Sequence, residues 1–343
     1  MKIETYVLEI IEGKRKNFFV SWLLCLLSHG YRMGVIFRNW YYDTIYSPKG
    51  TGAKVISVGN IVAGGSGKTP MVSFLAKKMA DSHKIAILTR GYRSLAEKEA
   101  RPQRVTKDNE LLCGDEPVWL AKNLPFTEVW VGKDRISSAK EAVKNQASLL
   151  ILDDGMQHRK LHRDIEIVMM DKNDLFGHGY YIPRGLLRDE PKRLAKADLI
   201  VVHPLEERRE YKIIEARLRH FTKAKIVAAK MVLKDAEPFR EKKVGVFCGI
   251  AKPGRFLHAL EKEGIEIVAS LLSQDHILPS KDELASFAKE CLDKGASVIL
   301  CTEKDVVKMD DTKFVLPIVS VAAELVVTKG EEHIDKILQS LKR

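Results

Sequence analysis

VISVGNIVAGGSGKTP, residues 55–70, is the stretch of sequence from which the fold of this chain can be predicted. Its apolar start is typical of a buried strand, its middle of a glycine-rich turn, and the following segment 71–79 of a helix. Glycine permits backbone conformations closed to other residues, so consecutive N–H groups can converge on an anion at the positive end of a helix. The order strand, glycine loop, helix therefore predicts a phosphate-binding loop.

The loop also supplies side chains that would hold a nucleotide and its metal ion. Lys68 would reach the outer phosphates, and the hydroxyl of Thr69 would bind Mg²⁺. The remaining loop contacts to a nucleotide are predicted for Val62, Ala63, Gly64, Gly65, Ser66 and Gly67. Val62 occupies the position where the usual pattern has its first glycine. Gly-Gly-Ser-Gly-Lys-Thr still provides the anion cradle, and Pro70 fits the first helical turn.

The composition narrows the class of protein without choosing a partner. A chain of 343 residues could form one large or two ordinary domains. Its 45% hydrophobic and 30% charged residues indicate a soluble protein, or one that lies on a membrane without being threaded through it. The net charge of +11 favours an anionic partner, which could be nucleotide, nucleic acid or a phospholipid surface. The five cysteines form no CxxC pair, which is typical of a reducing cytosol.

Residues 1–52 form a segment of different character. A basic run, 14–16, precedes an apolar run, 18–27, which polar residues interrupt before the roughly 20 residues that span a bilayer. We therefore predict no transmembrane helix here. An amphipathic or monotopic helix on a membrane is favoured, with Trp22, Trp40, Tyr41 and Tyr42 at the level of the lipid headgroups. A helix packed on the protein's own core is the alternative.

The rest of the chain alternates between strand and helix patterns. Strands are predicted at 54–58, 84–89, 128–131, 149–153, 165–170 and 199–203, and helices at 70–80, 116–123 and 135–144. Residues 53–224 should thus form a three-layer α/β/α domain of the P-loop NTPase type with a mostly parallel sheet. A second alternating set predicts a smaller α/β domain over 225–343, with 225–233 and 317–327 pairing as a ribbon between the domains.

Asp153 and Asp154 follow the apolar strand that ends at Leu152. Carboxylates at the carboxyl end of a parallel strand lie beside a phosphate loop, where an acid supports the metal ion. Gln157 and His158 come next, and they could orient phosphate or water, or only begin a helix. The two acids are therefore candidate magnesium ligands.

Asp115 begins a predicted helix and has two interpretations. It could be the helix N-cap, or it could be the base that accepts a proton from an acceptor hydroxyl. Asp275 and His276 end a strand of the second domain and could lie opposite Asp115. Several arginines could clamp a phosphoryl group, among them Arg90, Arg93, Arg135, Arg184 and Arg188.

Taken together, these segments resemble the tetraacyldisaccharide 4′-kinase family. The resemblance depends on an ordered set of motifs over nearly the whole chain: Ser57-Val58-Gly59-Asn60, Gly64 to Pro70, Thr89-Arg90-Gly91-Tyr92, Gly114-Asp115-Glu116-Pro117, Leu152 to His158, Gly185 to Pro191, Asp275-His276 and Thr302-Glu303-Lys304-Asp305. It includes the apolar N-terminal segment.

The resemblance implies an ATP- and Mg²⁺-dependent kinase that phosphorylates the 4′-hydroxyl of a tetraacylated glucosamine disaccharide 1-phosphate to give lipid IVA. Such an enzyme works at the cytoplasmic face of the bacterial inner membrane, on an anionic membrane surface.

The resemblance also implies roles for single residues. Lys68 and Thr69 would bind phosphates and Mg²⁺, with Asp153 and Asp154 as metal-side acids. Asp115 would be the base, with His276 beside it and Asp275 fixing the imidazole. Arg135 and Arg188 would neutralise the transferring charge, and Gln157 and His158 would line the site. The family usually has Leu-Arg-Glu-Pro, whereas here Asp189 lies between Arg188 and Glu190, so either acid could fill the position of the family's glutamate.

Two other classes of protein share parts of this pattern. A nucleotide-switch ATPase or GTPase of the partitioning or metallochaperone type also has Gly-Gly-x-Gly-Lys-Thr, commonly with a lysine before it, where this chain has Ala63. A nucleic-acid-binding ATPase would fit the charge alone, and no aromatic-interleaved basic tract supports it outside the N-terminal segment. We therefore expect no nucleic-acid partner.

Overall fold

The computed structural model describes residues 3–92, 94–250, 252–273, 278–309 and 312–341. Within them, the strands are β1 Lys54–Gly59, β2 Ile85–Thr89, β3 Gln103–Arg104, β4 Glu128–Val131, β5 Leu149–Asp153, β6 Ile165–Asp171, β7 Leu199–His203, β8 Lys225–Lys234, β9 Lys243–Cys248, β10 Glu266–Leu272, β11 Val298–Thr302 and β12 Ile318–Lys329. The α-helices are α1 Ile3–Ile11, α2 Phe18–Thr44, α3 Lys68–Met79, α4 Glu110–Cys113, α5 Asp115–Asn123, α6 Arg135–Lys144, α7 Arg208–Arg219, α8 Pro253–Lys262, α9 Lys281–Asp293, α10 Glu303–Val306 and α11 Glu331–Gln339.

All the strands belong to a single sheet. Their order is β10-β9-β11-β12-β8-β7-β6-β1-β5-β2-β4-β3. Neighbours run parallel except for β12 with β8 and β3 with β4. The antiparallel β8–β12 pair joins the strands of the two halves, in the segments where the sequence predicts a ribbon. The division into two domains stays a prediction, because hydrogen bonds continue across this pair.

Apolar strands account for the layered core. Every residue of β2, β5, β6 and β7 is buried, as a parallel sheet covered on both faces requires. On one face, Met71 and Leu75 of α3 pack with Ile334 of α11 against the sheet. On the other, Ile214 of α7 belongs to a separate cluster, and Ala139 of α6 to a third. The predicted α/β class with a large, mostly parallel sheet is therefore confirmed.

Helix α2 is longer than its apolar start suggests. It runs without a break for 27 residues after Asn17, whose side chain caps it by accepting from the Val20 N–H at 3.1 Å. By length and composition alone it could cross a membrane, which corrects the expectation that polar residues interrupt the run too early. Those polar residues lie inside one continuous helix. The predicted apolar N-terminal helix is present.

Only one narrow face of α2 contacts the protein. Its buried residues are Leu24, Ser28, Val35 and Asn39. The Ser28 hydroxyl donates to the Tyr181 carbonyl at 2.8 Å. Most of its large apolar side chains point away from the core and are exposed: Phe18, Phe19, Trp22, Leu23, Leu26, Leu27, Met33, Phe37 and Trp40. The helix thus contacts the protein through a few apolar and polar side chains and turns most of its large apolar side chains towards its surroundings.

Candidate active site

The phosphate loop, residues 62–69, ends at the start of α3. Gly67 precedes the helix with φ of 74°, and Gly64 has φ of 105°, so both require glycine. A Cβ on Gly67 would also lie 2.7 Å from Nε2 of His203. Gly65 is not among the residues with positive φ, so the expectation of unusual backbone freedom holds for two of the three loop glycines.

Side chains at the ends of β1 and β7, two strands that flank β6, fix the end of this loop. Asn60, directly after β1, donates from Nδ2 to Oγ of Ser66 at 2.6 Å. His203, at the end of β7, donates from Nε2 to the Ser66 carbonyl at 2.6 Å. Burial lowers the pKa of His203, so the imidazole is neutral here. The loop is therefore held in shape by the protein itself.

The beginning of the loop pairs with another segment of backbone. Val62 forms an antiparallel bridge with Leu187, and the Ala63 N–H donates to the Leu186 carbonyl at 2.7 Å. Where the usual pattern has a glycine, Val62 is thus part of a short ladder. This ladder brings the next residue, Arg188, to the phosphate loop.

Asp154 lies between the two cations of the site. Its Oδ1 is 3.6 Å from Nζ of Lys68, and its Oδ2 accepts from Nη1 of Arg188 at 2.9 Å. Nη2 of Arg188 also donates to Oδ1 of Asn60. Burial opposes ionisation of Asp154, but Lys68 and Arg188 outweigh it and hold its pKa well below the usual range. Asp154 is therefore an ionised carboxylate that orients both cations.

Asp153 has the opposite electrostatic character. It is buried, and burial together with Glu116 and Asp154 raises its pKa to about 7. Within the described part of the chain, its Oδ1 has no hydrogen-bond partner. A buried carboxylate oxygen without a described partner suits a hard cation such as Mg²⁺ better than Asp154 does, since Arg188 takes both oxygens of Asp154.

The protein ligands near Asp153 are few. In the part of the chain that the structure describes, no group of three or more His, Cys, Asp and Glu side chains could hold a metal ion. Mg²⁺ does not need such a cage, because it commonly keeps several waters and binds substrate phosphates with one or two carboxylates. The residues present therefore fit Mg²⁺ as a partner of the nucleotide.

Arg135 lies close to the two acids. It is buried at the start of α6, and its Nη1 donates to the Gly132 carbonyl at 2.9 Å. Burial lowers its pKa to about 10, although Asp153 and Asp154 act in the other direction. Even so, the guanidinium is fully charged at neutral pH. It is available to neutralise phosphate charge.

Gln157 and His158 follow the two acids, and Gln157 makes a structural contact. Nε2 of Gln157 donates to the Asn60 carbonyl at 2.9 Å. Burial, and then the charge of Arg135, lower the pKa of His158 to about 4, so this imidazole is neutral at physiological pH. No described residue forms a hydrogen bond with its Nε2. Contact of either residue with a nucleotide stays a prediction.

Asp115 is not the N-cap of α5, so that alternative is wrong. Gly114, with φ of 85° and ψ of 166°, fills the cap position, and Asp115 is the first residue of the helix. Its Oδ2 is 2.7 Å from Nζ of Lys308. The neighbouring Glu116 pairs with Lys304. Glu116 raises the pKa of Asp153 and Lys304 lowers it, so this second pair lies within electrostatic range of Asp153.

The sequence analysis assigned no role to four residues that this geometry brings in, although Asn60 and Lys304 lie in motifs on which the resemblance depends. Asn60 and His203 follow or end parallel strands, and the rule that ligands bind at such strand ends could have found them. Lys304 and Lys308 lie on and just after α10, far along the chain from Asp115, and no sequence signal indicates their pairing. Asp275 and His276 lie outside the described residues.

The fold and these contacts define a class of protein: an α/β phosphotransferase whose glycine loop presents a lysine beside strand-end carboxylates. A model of the tetraacyldisaccharide-1-P 4′-kinase family, LpxK, matches residues 20–342. This chain belongs to that family, and it is a kinase of lipid A biosynthesis.

Individual relatives match this chain over most of their length. The tetraacyldisaccharide 4′-kinase of Chlamydia pneumoniae is 37% identical over 327 residues, covering 91% of this chain and 88% of the relative. The tetraacyldisaccharide 4′-kinase of Halothermothrix orenii is 31% identical, covering 91% of this chain and 90% of the relative. A crystal structure of LpxK from Aquifex aeolicus in complex with ATP matches with a TM-score of 0.72 and 27% identity, covering 94% of this chain and all of that one. These matches favour the kinase over the nucleotide-switch alternative.

Proposed function

We propose that this chain transfers the terminal phosphate of ATP to the 4′-hydroxyl of tetraacyldisaccharide 1-phosphate, giving lipid IVA. Family membership supports the reaction, and the ATP complex of the Aquifex relative supports the donor. The observation that carries the proposal is the contact network in which Asp154 joins Lys68 of the phosphate loop to Arg188. Two cations held by one carboxylate beside a helix N-terminus suit a triphosphate.

The protein's part in this reaction is to hold charge in place. The loop N–H groups and Lys68 bind the phosphates, and Arg135 and Arg188 offset the charge that moves with the phosphoryl group. Because Asn60 and His203 fix the loop before a nucleotide arrives, little reorganisation is needed at the moment of reaction.

Thr69 and Asp153 would hold Mg²⁺, with Asp154 close by as the residue that orients the cations. When bound, the metal ion supplies positive charge to the phosphate oxygens. Asp153 must lose its proton to become a ligand, so its raised pKa makes metal binding weaker below about pH 7. The hydroxyl of Thr69 can bind Mg²⁺ without losing its proton.

Asp115 would accept the proton of the acceptor hydroxyl. Its carboxylate is oriented by Lys308, and the neighbouring Glu116 lies within electrostatic range of Asp153. In this proposal His276 assists Asp115, and Asp275 orients the imidazole. Two segments distant in sequence, 115–116 and 304–308, thus meet where the acceptor and the nucleotide must meet.

Helix α2 would place the enzyme on the bilayer that holds the acceptor. Its exposed aromatic and aliphatic side chains suit the acyl boundary, and the net charge of +11 suits an anionic leaflet. An acceptor with four acyl chains does not leave the membrane readily, since each buried methylene is worth about 0.8 kcal/mol. We infer that the chain works at the cytoplasmic face of the inner membrane, where ATP is present.

The substitution Asp115→Asn tests the proposed base. It should lower kcat by about 100-fold or more, because the hydroxyl loses its proton acceptor, while the KM for ATP changes little. The matched control is Glu110→Gln, which removes a carboxylate paired with Lys122 at 2.7 Å on the same pair of neighbouring helices. The measurement is initial rate against both substrates in mixed micelles, with Tm recorded for each variant.

Two outcomes would contradict this role of Asp115. One is that Asp115→Asn and Glu110→Gln lose the same small fraction of kcat. The other is that Asp115→Asn lowers only Tm and leaves kcat intact, which would make Asp115 a structural residue.

A further inference from the structure

Arg188 and Asp189 are adjacent in sequence, yet their side chains serve different parts of the molecule. The guanidinium of Arg188 contacts Asp154 and Asn60 at the phosphate loop. The carboxylate of Asp189 is 1% exposed and faces α2 instead. It accepts from Nδ2 of Asn39 at 2.9 Å, and it lies 2.9 Å from Nη2 of Arg38. One dipeptide therefore links the helix with the exposed apolar face to the nucleotide site.

The backbone of this dipeptide is also fixed on both sides. The N–H groups of Arg188 and Asp189 donate to the Ile61 carbonyl at 2.9 and 3.3 Å, one residue before the phosphate loop. On the other side, the Tyr31 hydroxyl of α2 donates to the Arg188 carbonyl at 3.4 Å. A displacement of α2 would therefore be transmitted to the segment that carries Arg188.

Asp189 has more influence on α2 than an exposed ion pair would have. A buried carboxylate that loses its partners leaves an uncompensated charge, which is far more costly than breaking a surface pair. Helix α2 buries few side chains on the protein, so its seating depends strongly on the polar contacts of Arg38 and Asn39. Its exposed apolar face means that its position also responds to the medium around it.

We propose that Asp189 is a positioning residue: by clamping Arg38 and Asn39 of α2, it sets the placement of Arg188 and so couples the seating of the apolar helix to phosphoryl transfer. This inference rests on the proposed role of Arg188 in charge neutralisation. Asp189 lies between Arg188 and Glu190, where the family's usual Leu-Arg-Glu-Pro has no residue. The proposal gives this extra residue a specific role in this chain.

A second acid offers a matched control on the same helix. Asp43 also joins α2 to the protein, through Arg159 and through Nη1 of Arg193 at 3.1 Å. Neither of these arginines contacts the phosphate loop through a described hydrogen bond. Asp43 is partly exposed, so Asp43→Asn removes a weak ion pair and leaves α2 seated by the buried contacts of Asp189 with Arg38 and Asn39.

The test compares Asp189→Asn with Asp43→Asn in the full-length protein. Asp189→Asn should lower kcat by about 10- to 100-fold with a smaller change in the KM for the lipid acceptor, since a small misplacement of a charged group costs this much. Asp43→Asn should stay within about twofold of the wild type. Asp189→Glu should recover much of the loss because it restores the charge.

A double-mutant cycle with Arg188→Lys shows whether the effect passes through Arg188. Lysine cannot reproduce the bidentate contact with Asp154, so Arg188→Lys should itself lower kcat. Adding Asp189→Asn to Arg188→Lys should then cause little further loss. If Asp189→Asn does not fold, Arg38→Met removes the other partner of the clamp, and it should lower kcat when Asp43→Asn does not.

Three results would overturn the inference: equal losses for Asp189→Asn and Asp43→Asn, full activity of both Asp189→Asn and Arg38→Met, or losses that multiply in the cycle with Arg188→Lys. A failure of the proposed function is distinguishable from these. It would appear as full activity of Arg188→Lys alone, whatever Asp189→Asn does.

Discussion

Helix α3 is largely buried in the protein, whereas helix α2 is largely exposed. Of the 12 residues of α3, those buried are Thr69, Met71, Val72, Ser73, Leu75, Ala76 and Met79. Helix α2 has 27 residues and buries Leu24, Ser28, Val35 and Asn39. On α2, Phe18 is 77% exposed, Phe19 80% and Trp22 62%.

This difference separates two uses of an apolar helix. The core fixes α3, and its first residue is Lys68, so burial there positions the residue that we propose to bind phosphate. Among the described residues, the large apolar side chains on the outer face of α2 are left exposed, and a lipid phase is a medium that would cover them. Apolar side chains of α3 pack into the core beside the phosphate loop, whereas in the proposed function those of α2 hold the enzyme at the membrane that contains its acceptor.

The largest expected effect lies at the start of α3. Lys68→Ala should lower phosphoryl transfer by about 1,000-fold, because it removes a charge that stabilises the phosphates in the transition state. Lys77→Ala, on the same helix and paired with Glu324, should remain within about twofold. Rates at saturating ATP, with Tm as a check of folding, measure the contrast. Undiminished turnover of Lys68→Ala would contradict the proposed phosphate site.

The next effect concerns α2. The double substitution Phe19→Ser and Trp22→Ser should weaken partition into vesicles of phosphatidylglycerol and phosphatidylethanolamine by about 100-fold, since each large apolar side chain contributes roughly 1.5–3 kcal/mol. Leu24→Ala is the control on the buried face of the same helix, and it should lower Tm with little change in partition. An unchanged co-sedimentation of the double variant would mean that the exposed face does not meet lipid.

The smallest effect is a shift in stability with pH at Asp153. Its ordinary pKa of 3.8 is raised to about 7 in the folded protein by burial, Glu116 and Asp154. The stability that this carboxyl contributes is therefore fully present below its unfolded pKa and is lost as the pH rises towards 7. Asp153→Asn stays uncharged, so in the absence of metal its Tm should exceed that of the wild type by about 2 °C or more at about pH 8, and by less near pH 5.

Adding Mg²⁺ and nucleotide should reverse this advantage, because the wild-type carboxylate then gains a cation and the amide does not. The measurement is the Tm of both proteins at both pH values, with and without these ligands. A Tm difference independent of pH would mean that Asp153 is already ionised in the free protein.

The sequence was sufficient to predict the elements that are determined by local residues. The glycine loop, its strand and its helix follow from 55–79 because local backbone freedom and apolar pattern decide them. The same holds for the alternating strands, whose ends agree with the structure within a few residues. Asp153 and Asp154 were found because the carboxyl end of a parallel strand is a known place for such acids.

The sequence was insufficient where the fold brings distant segments together. It could not show that Asp154 serves Lys68 and Arg188 while Asp153 is left with an unpartnered oxygen, because the two acids are neighbours of the same type. Lys308 meets Asp115 only through the packing of α10 near α5. The direction in which α2 turns its apolar side chains likewise depends on tertiary contacts, chiefly those of Asn39 and Ser28.

The most direct measurement is the fate of the terminal phosphate. Purified protein is incubated in detergent with terminally labelled ATP, Mg²⁺ and tetraacyldisaccharide 1-phosphate. We predict label on the lipid, in an amount that depends on the acceptor and falls to background with Lys68→Ala. Label released only as inorganic phosphate, at a rate independent of the acceptor, would contradict the kinase and favour a nucleotide switch.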